Sequence, residues 1–125
     1  MIFGVGTDIV DVKRLEKIIE RTPQLIERVF TASEISYCQN KGRQKVQALA
    51  ARFAAKEAVL KALGTGIVGF SWTEMELSNL PSGQPVVELS GRMAQFIAKH
   101  DIIKVEISYS HIDETAVAFA VACCK

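Results

Sequence analysis

The twenty residues at positions 44–63 include seven alanines and neither glycine nor proline, and they end against Gly64. Alanine is the strongest helix former and a following glycine a natural stop, so this span predicts one long helix. Placed at 100° per residue, Val46, Leu49, Phe53 and Leu60 form a bulky apolar stripe, with Ala51, Ala54, Ala55, Ala58 and Ala62 in an arc behind it. A helix apolar on two sides is packed on two sides, which puts this segment at the centre of the fold. Its charges fall into two narrow rows where a cleft could form: Arg52 and Lys56 on one border, Glu57 and Lys61 on the other.

The flanking pattern fills in the architecture. Residues 2–7, IFGVGT, read as a short buried strand whose glycines allow close backbone approach. Asp11 can cap a helix with Val12, Leu15, Ile18 and Ile19 at helical spacing, ended by Pro23. Thr31 and Glu34 make the capping-box pattern for a helix to about Asn40, broken at Gly42. After Gly64 the signal turns to strand, with β candidates at 70–77 and 86–89 joined by the turn NLPSGQP. Ser90 can cap a short helix to about Lys99. Then Ile103, Val105, Ile107 and Tyr109 alternate with Lys104, Glu106, Ser108 and Ser110, and a turn at Asp113 and Glu114 returns the chain as a strand over 115–123. Helices early and antiparallel strands late predict an α+β fold in a single domain over residues 1–125.

Composition excludes several classes. The chain is 49% apolar and 23% charged with a net charge of +1, which fits a soluble globular protein. No apolar run approaches the roughly 20 residues needed to span a bilayer. The opening MIFGVGTDIV has no basic n-region and carries Asp8, so no targeting segment is expected and the cytoplasm is the expected compartment. Cys38, Cys123 and Cys124 offer neither a disulfide framework nor zinc-ligand spacing. Near-neutral charge, two tyrosines and one tryptophan argue against a nucleic-acid binder. The charge is nevertheless uneven. Residues 39–61 hold six bases against the single acid Glu57, a block that suits a phosphorylated ligand, an acidic partner or a solvated helix face.

The chemistry-bearing residues are few. Asp8 is a turn or cap residue, or, with a second carboxylate brought near by folding, half of a hard-cation site of the magnesium type. Glu57 and Lys61 are an i,i+4 pair, worth about 0.3–0.5 kcal/mol if exposed. They nevertheless border the apolar stripe and do not lie on an open face. Gly64, Thr65 and Gly66 follow, either as a helix stop or as free N–H groups able to receive phosphate oxygens. His111 ends the alternating strand, a position open to a structural or a binding role. There is no P-loop, dinucleotide fingerprint or nucleophile triad. The residues alone indicate a small α+β domain suited to a phosphorylated ligand with magnesium.

GVGTDIVDVKRL around Asp8, and RFAAKEAVLKALGTG from Arg52 to Gly66, resemble the two principal motifs of the holo-acyl-carrier-protein synthases, the small group of 4'-phosphopantetheinyl transferases. FTASE at 30–34, GQPVVEL at 83–89 and SYSHIDETAVAFAV at 108–121 extend the resemblance over nearly the whole chain. It implies the phosphopantetheinyl transferase fold, and transfer of the phosphopantetheine arm of coenzyme A to a serine of acyl carrier protein in fatty acid biosynthesis. It further implies a magnesium ion held by Asp8 and Glu57 and a diphosphate contact from Lys61. Arg52 and His111 are then candidates for the phosphates at the nucleotide end, and Gly64, Thr65 and Gly66 for backbone contacts. It also implies a homotrimer with active sites at subunit interfaces, and docking of the acidic carrier protein along the first long helix, where Arg14 and Arg21 share a face with Arg28 beyond. The same chemistry on a carrier of another pathway, or a non-catalytic coenzyme A-binding module, are the rival readings.

Overall fold

The long helix is the axis of the computed structural model, which describes residues 1–125. α4 spans Lys45–Leu63 and ends as predicted on Gly64, which adopts the left-handed conformation at φ +74°. Its alanine arc lies on a three-stranded antiparallel sheet of order β1-β5-β4, formed by β1 (Ile2–Asp11), β5 (Thr115–Cys124) and β4 (Ile102–His111). Ala118, Ala120 and Ala122 on β5 share one core cluster with Ala54, Ala55, Ala58 and Ala62, and Ala116 shares another with Ala48, Ala50 and Ala51. Small residues facing each other bring the helix backbone unusually close to the sheet.

The closest approach is at β1. A Cβ on Gly6 would collide with the Ala58 carbonyl oxygen and lie 2.7 Å from the Ala62 nitrogen, and one on Gly4 would collide with the Ala62 carbonyl. The two glycines therefore let an edge strand touch the helix backbone directly. β1 is longer than predicted and is not buried on both faces: Gly4, Gly6, Asp8 and Val10 face α4, while Val5, Thr7 and Ile9 are exposed.

The remaining elements surround this core. Asp11 caps α1 (Val12–Arg21) by accepting the Arg14 N–H at 3.1 Å, and Val12 and Leu15 are buried. Ile18, at helical spacing with them, is instead exposed at the edge of a cavity. A short helix the sequence did not suggest, α2 (Leu25–Val29), precedes α3 (Ala32–Gln39), whose Thr31–Glu34 capping box forms as predicted. The 70–77 strand prediction is too long. Trp72–Glu74 is a 3-10 turn closed by Ser71 and Glu74, and β2 (Met75–Asn79) pairs with β3 (Pro85–Leu89) as a separate two-stranded ribbon. Ser90 does not cap α5 (Gly91–Lys99) with its side chain; Glu74 does so from outside, accepting the Met93 N–H at 3.1 Å. On β4 the register shifts between Ile102 and Lys104, so Ile102 is buried and Ile103, predicted inward, is exposed. With five helices on antiparallel strands, the fold is α+β. No helix is long and apolar enough to cross a membrane.

Candidate active site

The GVGTD segment shows how sequence builds the site. Strand side chains alternate, so Gly4, Gly6 and Asp8 face the same way. The glycines pull α4 against the strand, and the carboxylate two residues on meets the next helical face, that of Glu57 and Lys61. Lys61 Nζ lies 3.3 Å from Asp8 Oδ1 and donates to the Thr7 carbonyl oxygen at 2.9 Å. Thr7 in turn donates its hydroxyl to Ala118 O at 3.1 Å, fixing the strand at that point. Asp8, Glu57 and Lys61 line one cavity of about 680 Å³, with Arg14 and Ile18 of α1 and Phe53 as its wall. Burial pushes the Glu57 carboxyl above the usual carboxylate range, the Asp8 charge adds to this, and Lys61 opposes it. Two carboxylates are thus close enough to repel, and one lysine offsets them.

Arg52 and His111 are not in this cavity. Lys61 follows Arg52 by nine positions, which at 100° each puts them on opposite sides of α4. The two cavities also draw on opposite edges of the sheet, through Asp8 on β1 and His111 on β4. Arg52 and His111 line a second, smaller cavity of about 150 Å³ with Tyr37, Lys41, Asn79 and Tyr109. Arg52 is only 3% exposed yet has no carboxylate partner. Its guanidinium lies 4.1 Å from the Tyr37 ring centre and 5.7 Å from that of Tyr109, and donates to Asn79 Oδ1 at 3.3 Å. Its Nε and the Tyr109 hydroxyl are buried with no partner. Buried cations are normally paired and buried polar atoms normally hydrogen-bonded, so this arrangement asks for an anion from outside. Sequence reasoning missed Tyr37, Asn79 and Tyr109, because only the fold brings α3, β2 and β4 around Arg52.

Residues 4–123 match the 4'-phosphopantetheinyl transferase superfamily. A holo-[acyl-carrier-protein] synthase of Desulforudis audaxviator is 48% identical over 98% of this chain and 93% of that one. The chain belongs to this superfamily. Its fold matches that of the Neisseria meningitidis holo-[acyl-carrier-protein] synthase with a TM-score of 0.90, at 35% identity over 98% of both chains. The Helicobacter pylori holo-[acyl-carrier-protein] synthase, solved in complex with coenzyme A, aligns with a TM-score of 0.83 at 32% identity, over 95% of this chain and 99% of that one. The predicted phosphopantetheinyl transferase fold is therefore present.

Two further site expectations meet the geometry differently. A magnesium ion fits the first cavity: it takes hard oxygen ligands and is commonly held by one or two carboxylates plus substrate phosphates. Asp8 and Glu57 supply two; Asp11, on the same cavity, is engaged as the α1 cap, and no group of three acidic, histidine or cysteine side chains forms a closed protein cage. The Gly64, Thr65 and Gly66 segment is less free than expected. The Gly64 N–H donates to Lys61 O at 3.1 Å and the Thr65 N–H to Leu60 O at 3.0 Å, so both close the helix end. What remains for a ligand is the Gly66 N–H and the Thr65 hydroxyl, which is buried without a partner. Arg21 and Arg28 lie outside both cavities, exposed at the end of α1 and on α2.

Proposed function

We propose that the chain transfers the 4'-phosphopantetheine moiety of coenzyme A to a serine of apo-acyl carrier protein, releasing adenosine 3',5'-bisphosphate, within fatty acid biosynthesis. The observation that carries this reading is the convergence of Asp8, Glu57 and Lys61 in one cavity of a superfamily member. Asp8 and Glu57 would hold a magnesium ion, which would supply neutralisation of charge on the diphosphate and the departing oxygen. Without a cation the two carboxylates would repel the substrate. Lys61, half-exposed beside Asp8, turns its ammonium to a diphosphate oxygen. Glu57, at the wall of the same cavity, or a water beside it is assigned to take the proton of the attacking serine hydroxyl. Thr65 and Gly66 contact the ligand beyond the helix end.

Arg52, His111 and the Tyr109 hydroxyl bind the phosphate at the nucleotide end. α4 separates them from the Asp8 cavity in one chain, so we assign the two halves of each site to neighbouring copies in a homotrimer. The outer face of the sheet supports this. It exposes Val5, Ile9 and Phe119, at 65%, 70% and 56%. Phe119 pairs with Thr7, and Val121 and Val117 pair with Val5 and Ile9, so the patch is continuous across β1 and β5. Contiguous apolar patches on a sheet mark association surfaces. Arg14 at the cavity wall, with Arg21 and Arg28 beyond, receives the acidic carrier protein and speeds encounter.

The test is incubation with apo-acyl carrier protein, coenzyme A and magnesium, followed by mass spectrometry of the carrier. Phosphopantetheine addition is expected, and Asp8→Ala or Glu57→Ala should each remove most turnover. An unmodified carrier, or undiminished transfer in excess chelator, rules out the reading or its metal respectively.

A further inference from the structure

The chain buries one lysine and one glutamate completely, and neither enters the two cavities. Lys56 Nζ lies 2.7 Å from Glu34 Oε1, 2.7 Å from Val29 O and 3.2 Å from Trp72 O. Glu34 Oε1 also accepts the Thr31 N–H at 2.8 Å, and Glu34 Oε2 accepts the Leu77 N–H at 2.9 Å. Three acceptors around one nitrogen require three N–H groups, which only the ammonium form has. Burial pushes Lys56 below its usual range, and the Glu34 carboxylate is the main opposing influence. A buried ion pair is a poor device for stability alone, since apolar residues of the same volume often serve as well. This one is notable for what it connects.

Each arm leads to a wall of the Arg52 cavity. Arg52 stands one turn before Lys56 on α4. Tyr37 stands one turn after Glu34 on α3, with Lys41 just past that helix. Asn79 stands two residues after Leu77 on β2, hence on the same strand face. An exposed Ser33 hydroxyl to Glu76 bond of 2.9 Å is a weaker second link between α3 and β2. We propose that Lys56 and Glu34 are a positioning pair, which locks α3 and β2 to α4 so that Tyr37 and Asn79 hold the Arg52 guanidinium ready for the nucleotide-end phosphate of coenzyme A. This rests on the assignment of Arg52 to that phosphate.

The variant is Glu34→Gln, which keeps the side-chain volume and an acceptor but withdraws the charge. The readout is the ratio of kcat/KM for coenzyme A to that for dephospho-coenzyme A, which lacks the 3'-phosphate, alongside Tm. A merely structural role lowers Tm and the active fraction, scaling both donors equally and leaving the ratio alone. The positioning role predicts at least a fivefold fall in the ratio, toward that of Arg52→Ala. A folded Glu34→Gln protein within twofold of the wild-type ratio overturns the inference. If Arg52→Ala itself leaves the ratio unchanged, the assignment of Arg52 has failed first. The wild-type protein supplies a measurement independent of any variant's folding. Hydrogen exchange at the Leu77 and Glu34 amides should slow at least threefold more with adenosine 3',5'-bisphosphate than with adenosine 5'-monophosphate. Equal protection by the two also overturns it.

Discussion

Gly6→Ala adds one methyl group where the structure has no room for it. The new Cβ would lie 2.7 Å from Ala62 N, 2.9 Å from Lys61 Cβ and nearer still to Ala58 O. Real Cβ atoms essentially never come within 3.0 Å, and two of these three neighbours are backbone, so no side-chain rotation relieves the clash. β1 and α4 must therefore part by about 1 Å, a strain in the range of about 1–3 kcal/mol for overpacking. For a chain of this length that lowers Tm by roughly 3–15 °C. The larger effect falls on chemistry, because Asp8 rides on β1 and Glu57 and Lys61 ride on α4. Parting the two elements opens the 3.3 Å Asp8–Lys61 contact and separates the two carboxylates proposed to share one ion. A misplacement of about 1 Å can slow turnover by about 100-fold. The assay is carrier-protein modification followed by mass spectrometry, with Tm measured on the same preparation. Gly69→Ala is the control: it strains a positive φ of +91° but meets open space and lines neither cavity, so it should lower Tm without slowing the folded protein. If Gly6→Ala transfers phosphopantetheine at the wild-type rate, the strand–helix contact does not set the site geometry.

Three further outcomes follow from the same coordinates. Lys61→Gln should slow transfer at least tenfold while changing stability by less than about 1 kcal/mol, since the half-exposed pair with Asp8 contributes little to folding; comparable small losses in both would reduce Lys61 to a surface partner. For Glu74, burial alone would raise its carboxyl, but N–H donors from Ser71, Met93 and Arg92 outweigh it and hold the group below its usual range. A depressed folded value stabilises above the unfolded value and loses that contribution as pH falls through the folded one. Glu74→Gln should accordingly lose about 1 kcal/mol at neutral pH, as a lost cap does, with the gap to wild type closing in acid; a gap that ignores pH refutes the charge-based cap. Phe119→Asp puts a charge in the middle of the apolar sheet face and should yield a monomer by light scattering with transfer lost, because each half-site then lacks its neighbour. A monomeric wild-type protein at working concentration would remove the shared-site assignment.

What could be read in the sequence, and what could not, divides along the range of the interactions. Helix α4, its stop at Gly64 and the Thr31–Glu34 box depend on residues within a few positions of each other, and all were legible. The Gly4, Gly6, Asp8 alternation was legible as close approach, though not what it approached. The errors lie where a distant residue takes over a local role. Glu74 caps α5 in place of Ser90, and one shifted residue on β4 exchanges Ile102 for Ile103. Lys56 is the clearest case, because a wheel puts it on a charged border beside Arg52 and says nothing of Glu34, twenty-two residues away. The same wheel did contain the most useful hint, unrecognised at that level. It placed Arg52 and Lys61 on opposite borders of one helix, and residues 180° apart cannot grip one end of a ligand in one cavity. If both bind coenzyme A, as the unpartnered Arg52 and the paired carboxylates each suggest on their own chemistry, the ligand must lie between one copy's Asp8 edge and another copy's His111 edge. The exposed Val5, Ile9 and Phe119 then have a reason to stay apolar, since the surface that joins the copies is also what completes the site.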